Sequence, residues 1–125
     1  MKQAASIYFT TTGYVVCNPD GEPTSLMTID ASDLTLEQRL QRAWYYLGKG
    51  IADVLSDGYE FVELLSDTKV IDQLDGVVIE DEDCLAMAHS IRSKGLPQLL
   101  HYELKKVTTE KIEVIFNEAE KELRG

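Results

Sequence analysis

Carboxylates dominate the chemistry this sequence can offer. It has 22 acidic residues against 12 basic ones, for a net charge of -10. Grouped carboxylates can hold divalent cations, move protons or meet a basic partner, depending on where the chain places them. They are unevenly spread. The stretch from Asp53 to Asp83 contains eleven acids and one base, Lys69, so it holds the whole excess. Within it Asp67 stands in Ser66-Asp67-Thr68, while Glu80, Asp81, Glu82 and Asp83 run together. Such a run reads as a solvated face or, more sharply, as a contact surface for a basic protein partner. The same charge has the wrong sign for gripping phosphate backbones, which weighs against nucleic acid as a partner. Other reactive types are sparse. Cys17 and Cys84 form no C-x-x-C pair and have no histidine at ligand spacing, and His89 and His101 are isolated. The thiols read as buried and reduced, and the imidazoles as packing or surface residues.

The elements that must position these groups follow from periodicity. Ser6 to Cys17 is rich in β-branched and aromatic residues, and Asn18-Pro19-Asp20-Gly21 is a turn signal before a returning strand at Ser25 to Ile29. The opening third is therefore a β-hairpin or small meander. A long amphipathic helix starts at Asp33 or Thr35, with Asp33 able to cap it. Its stripe is Leu36, Leu40, Ala43, Trp44, Leu47, Ile51, Val54 and Leu55, and Gly58 stops it. Tyr59 to Leu65 suits a strand, with Ser66-Asp67-Thr68 at its carboxyl end and a short helix over Lys69 to Leu74. That position is where open α/β sheets place ligands. Val77 to Ile79 is a brief apolar segment, Cys84 to Ser93 a helix, and Leu99 to Val107 a strand. Thr108 or Thr109 caps a last helix with Ile112, Ile115, Phe116, Ala119 and Leu123 inward. A strand-helix-strand crossover implies at least one parallel pair, hence an α/β domain spanning residues 1–125. The opening residues do not read as a signal peptide, and no apolar run approaches the roughly 20 residues of a membrane span. The expected location is cytoplasmic, with no membrane association.

The middle of the chain resembles the ribonuclease H family. Glu63-Leu64-Leu65-Ser66-Asp67-Thr68-Lys69 through Gln73-Leu74-Asp75-Gly76 is similar to that family's strand, Ser-Asp-Ser-Lys, and helix ending in Gln-Leu-Asn-Gly. The likeness extends in order along nearly the whole chain: Val15 to Glu22 looks like its second strand and turn, and Leu99 to Leu123 like its last strand and helix. The resemblance implies a mixed sheet with helices packed on it. It also implies four carboxylates holding two divalent metals, Mg²⁺ or Mn²⁺, for phosphodiester cleavage. Carried over residue by residue, the set is incomplete. The third acid matches Asp67. The first falls around Tyr8-Phe9-Thr10-Thr11, where there is no acid, and the Gly-rich turn after it is missing. The second falls at Ala43, with Glu37 the nearest acid, more than a turn away. The fourth falls near the start of the final helix, where Glu118 or Glu120 is the match.

Three functions compete. The leading one is a ribonuclease H-like domain that has lost catalysis, needs no cofactor and binds protein through Glu80, Asp81, Glu82 and Asp83, with Tyr45 and Tyr46 as aromatic anchors. On this reading Asp67 and Glu120 are at most a vestigial metal site, and Asp67 serves as a turn or helix cap. The second is a metal nuclease with relocated ligands drawn from Asp67, Glu37, Glu120 and Asp20 or Asp30. The third is an acidic inhibitor that mimics nucleic-acid charge. The Leu99 to Val107 strand, near a sheet edge, would also allow a homodimer.

Overall fold

Strict alternation makes the first strand. In the computed structural model, which describes residues 4–30, 32–59, 61–74, 82 and 101–124, β1 runs Ala4–Thr10. Ala5, Ile7 and Phe9 are fully buried, while Ser6, Tyr8 and Thr10 on the other face are half-buried. Side chains two apart share a face, so β1 presents one wholly apolar row. The chain then reverses at Thr11 and Thr12 into β2, Gly13–Cys17. The β-rich stretch from Ser6 to Cys17 is thus parts of two strands. Thr10 Oγ1 accepts the Thr12 N–H at 3.1 Å. Gly13 is required here because a Cβ would run into the Met27 carbonyl oxygen of the neighbouring strand. All five residues of β2 are buried.

The expected turn forms before β3, Pro23–Thr28. Asn18 Oδ1 accepts the N–H groups of Asp20 at 3.0 Å and Glu22 at 2.9 Å, the local hydrogen bonding that makes Asn a turn former. Of the two candidate helix starts the chain uses Thr35. Its hydroxyl accepts the Gln38 N–H at 3.2 Å and Gln38 Oε1 accepts the Thr35 N–H at 2.9 Å, a reciprocal capping box. This outcompetes Asp33, and α1 runs Leu36–Ser56. Its stripe is buried as expected from Leu40 to Val54. Leu36 is the exception, 48 % exposed in the first turn. Gly58 ends the helix with φ 86°, a left-handed conformation that side chains resist.

Next come β4, Phe61–Asp67, α2, Thr68–Leu74, β5, His101–Val107, and α3, Thr109–Arg124. Thr108 caps α3 through its hydroxyl, which accepts the Lys111 N–H at 3.2 Å. The sheet order is β3-β2-β1-β4-β5. β1 pairs antiparallel with β2 and parallel with β4, β4 pairs parallel with β5, and β2 pairs antiparallel with β3. The fold class is the mixed α/β sheet that the element order implied. α1 covers one face with Ala43, Trp44, Leu47, Ile51 and Val54 against Ile7, Phe9, Val16 and Leu64. α3 covers the other, where Ala119, Ile115 and Phe116 meet Val15, Cys17, Tyr8 and Leu26. Among the described residues no helix is long and apolar enough to cross a membrane. The segments read at Val77 to Ile79 and Cys84 to Ser93, with Glu80, Asp81, Asp83 and His89, lie outside the described residues; Glu82 is exposed.

Candidate site at the carboxyl ends of the central strands

Strand register gathers the candidate residues into one row. Gly13 pairs with Thr28 on one side and Thr10 on the other. Tyr8 pairs with Leu65, so two residues further on Thr10 stands beside Asp67, and Asp67 pairs with Val107. Neighbours in this row are about 4.8 Å apart. The β1–β4 junction is locked by Ser66, fully buried, whose hydroxyl donates to the Phe9 carbonyl at 2.6 Å. Asp67 leaves the sheet at this point and caps α2, its Oδ1 accepting the Val70 N–H at 2.8 Å. That oxygen is thereby held at the start of the helix, as expected for a residue at the third position before a bonded N–H. Beside it, Thr10 Oγ1 lies 3.1 Å from Thr12 Oγ1, so the position next to Asp67 carries paired hydroxyls.

A cleft of about 350 Å³ opens between this turn and α3, lined by Thr10, Thr12, Ile112, Glu113, Phe116 and Asn117. Helical spacing puts 112, 113, 116 and 117 on one side of α3. Glu113 and Asn117 were missed in the sequence. Their signal was there, since Glu113 lies one turn into the last helix and so nearer its start than Glu118 or Glu120. Glu120 is instead held by Arg124 at 3.1 Å, and Arg124 also donates to Thr28 on β3 at 3.1 Å. Thr28 is three strands from Asp67 in the row, about 14 Å. Glu118 acts on Cys17 of β2: burial first, then Glu118 and Glu122, push that thiol up to about 11. Cys17 is buried and free.

The other named acids are scattered. Asp20 lies in the turn after β2, whose last residue, Cys17, pairs with Ser6, so it sits at the opposite end of the sheet from Asp67. Asp30 is exposed and accepts the Ser32 N–H at 3.0 Å, which holds its carboxyl below the usual range. Glu37 is exposed in the first turn of α1. Asp53 accepts the Tyr14 hydroxyl at 2.7 Å; burial first, and then this bond, raise the Tyr14 phenol. Tyr46 is 4 % exposed and part of the core, while Tyr45 is half-buried and sits 6.3 Å from it in an edge arrangement, with Lys49 over its ring at 5.0 Å.

Among solved structures, RNase H1 from the halophilic archaeon Halobacterium salinarum NRC-1 shares this architecture. It superposes with a TM-score of 0.55 and 18 % sequence identity, over 93 % of this chain and 96 % of that one. The fold is ribonuclease H-like. No protein-family model matches the chain, and no curated protein matches its sequence. The ribonuclease H-like fold implies a pair of divalent metals on converging carboxylates, and the described residues do not fit that group. Thr10 supplies a hydroxyl beside Asp67, Ala43 is fully buried and brings only a methyl, and one oxygen of Asp67 is engaged as a cap. Among the described residues no three His, Cys, Asp or Glu side chains come together in a way that could hold a metal ion.

Proposed function

We propose that this ribonuclease H-like domain works by binding protein and does not cleave nucleic acid. The observation that carries the reading is the row at the strand ends, where Thr10, a hydroxyl and not an acid, stands beside Asp67, whose Oδ1 accepts the Val70 N–H. A two-metal hydrolase needs several carboxylates on the same ions, because affinity and geometry are shared among them. Here the matching positions hold one acid that serves the backbone, a hydroxyl and a buried methyl. The net charge of -10 supports a basic protein partner over a phosphate backbone. Glu80 to Asp83 is the contact run on this reading, with Tyr45 alongside.

The deciding assay is hydrolysis of an RNA·DNA hybrid in Mg²⁺ and in Mn²⁺. The expected result is no cleavage above background in either ion. Robust cleavage that disappears in Asp67→Asn overturns the proposal and restores a nuclease with relocated ligands.

A further inference from the structure

We propose that the cleft between the Thr11–Thr12 turn and α3 is a docking slot for an arginine side chain from a basic protein segment. The inference rests on the protein-binding reading and gives that partner its chemistry. The slot's polar groups are mainly acceptors. Glu113 brings a carboxylate, and among the described residues no cation pairs with it. Thr10 Oγ1 already accepts the Thr12 N–H, and the two hydroxyl oxygens lie 3.1 Å apart. Whichever hydroxyl donates to the other, Thr12 Oγ1 spends at most one of its two lone pairs on Thr10 and keeps one for a ligand. Asn117 adds an amide oxygen. Asp67, one strand over from Thr10, adds negative charge at about 4.8 Å strand spacing.

A group that satisfies this set must be cationic and rich in donors. It must also tolerate an apolar wall, because Ile112 and Phe116 line the same cleft. A guanidinium meets all three demands. It offers five N–H donors in a plane, forks onto a carboxylate, and lays its weakly hydrated face on an aromatic ring. An ammonium is a strongly hydrated point charge that would use Glu113 and gain little from Phe116. An anion is repelled by Glu113, and a purely apolar group would leave the acceptors without partners. The alkyl stem of an arginine can follow Ile112 while its head reaches the polar end. The net negative charge of the chain attracts a basic segment to the molecule as a whole, and Glu113 selects its place.

The test is a titration of the ¹⁵N-labelled full chain with two short Gly/Ser peptides, one bearing a single arginine and one a single lysine. The arginine peptide is expected to shift the amides of Thr12, Glu113 and Asn117 and to bind at least about fivefold more tightly than the lysine peptide. Glu113→Gln is expected to weaken it about tenfold, the size of one lost charge-assisted hydrogen bond. Asn117→Ala should weaken it less, and Phe116→Leu should erase the preference for arginine over lysine. Glu113 and Asn117 are both exposed, so these two variants keep the fold, which circular dichroism checks. Equal binding of the two peptides, shifts confined to other residues such as Glu82, or a Glu113→Gln chain that binds as before would each overturn the proposal. These outcomes are separable from the fate of the protein-binding reading, which falls on hybrid cleavage sensitive to Asp67→Asn.

Discussion

The two faces of the sheet are built to different standards. Under α1, the row Ala5, Ile7 and Phe9 is fully buried and meets a helix stripe that is itself buried from Leu40 to Val54. Under α3, the buried set among the described residues is smaller: Val15, Cys17 and Ala119, with Ile112 buried at the cleft, fringed by Tyr8, Leu26, Ile115 and Phe116, each only partly covered. The first face is a continuous set of buried apolar side chains. The second leaves room for a cleft of about 350 Å³ and for exposed polar side chains on α3. Stability is concentrated on the α1 face, and the open chemistry lies on the α3 face. A site needs tolerance of polar groups and of water, and the loosely covered face is where both are cheap.

The largest test of this contrast compares two phenylalanines. Phe9→Ala should cost about 3–5 kcal/mol, because a fully buried ring leaves both lost transfer energy and a cavity. Phe116→Ala, partly exposed at the cleft, should cost about 1–2 kcal/mol. Urea denaturation midpoints measure both, and equal losses would break the comparison. The next test is alkaline pH. Cys17 is raised to about 11 in the folded chain by burial and by Glu118 and Glu122, from an ordinary value of 9.0. A raised acid favours folding below the unfolded value and loses that contribution as pH climbs through the folded one. Between about pH 9 and 11 the unfolded thiol ionises first, so stability should fall by something on the order of 2 kcal/mol. Denaturation at pH 8 and pH 10.5 should show the fall, and Cys17→Ala should remove the thiol's part of the slope, leaving the part that the raised Tyr14 phenol adds near pH 10. A wild-type curve that stays flat would mean that the α3 face does not shield the thiol. The smallest effect belongs to Asp67. Asp67→Ala removes the cap on α2 and should cost about 1 kcal/mol, whereas Asp67→Asn keeps an accepting oxygen and should cost a few tenths. A loss beyond about 2 kcal/mol in Asp67→Asn would show that the carboxylate's charge matters more than its place at the start of the helix.

Much of the scaffold was legible because its signals are local. Asn18 to Gly21 reads as a turn since the Asn18 side chain bonds its own backbone two and four residues on. Thr108, one of the two caps offered for α3, bonds the backbone three residues on in the same local way, whereas for α1 the sequence offered Asp33 as the cap and the chain uses Thr35 with Gln38. The break at Thr11 and Thr12 was not legible. Nothing in Thr-Thr prescribes a tight reversal, and it is held from outside, by the Ile29 N–H donating to the Thr12 carbonyl at 2.9 Å and by the fit of Gly13 against β3. Tyr46 shows the same limit. Beside Tyr45 in sequence it looks equally free, yet α1's rotation sends it into the core at 4 % exposure.

The candidate site divides in the same way. That Asp67 ends a strand and opens a helix, and that no acid stands in strand one, are properties of residue types along the chain. They decide that carboxylates are plentiful yet missing from strand one. Which residues face one another was settled only in three dimensions. The β1–β4 register puts Thr10 next to Asp67, and the path of α3 across the sheet brings Glu113 and Asn117 to the Thr10–Thr12 turn and Arg124, which holds Glu120, to Thr28. Periodicity along a helix states which side chains share a face. It contains no information about which strand that face will cross, because the packing angle depends on side chains from several distant segments at once.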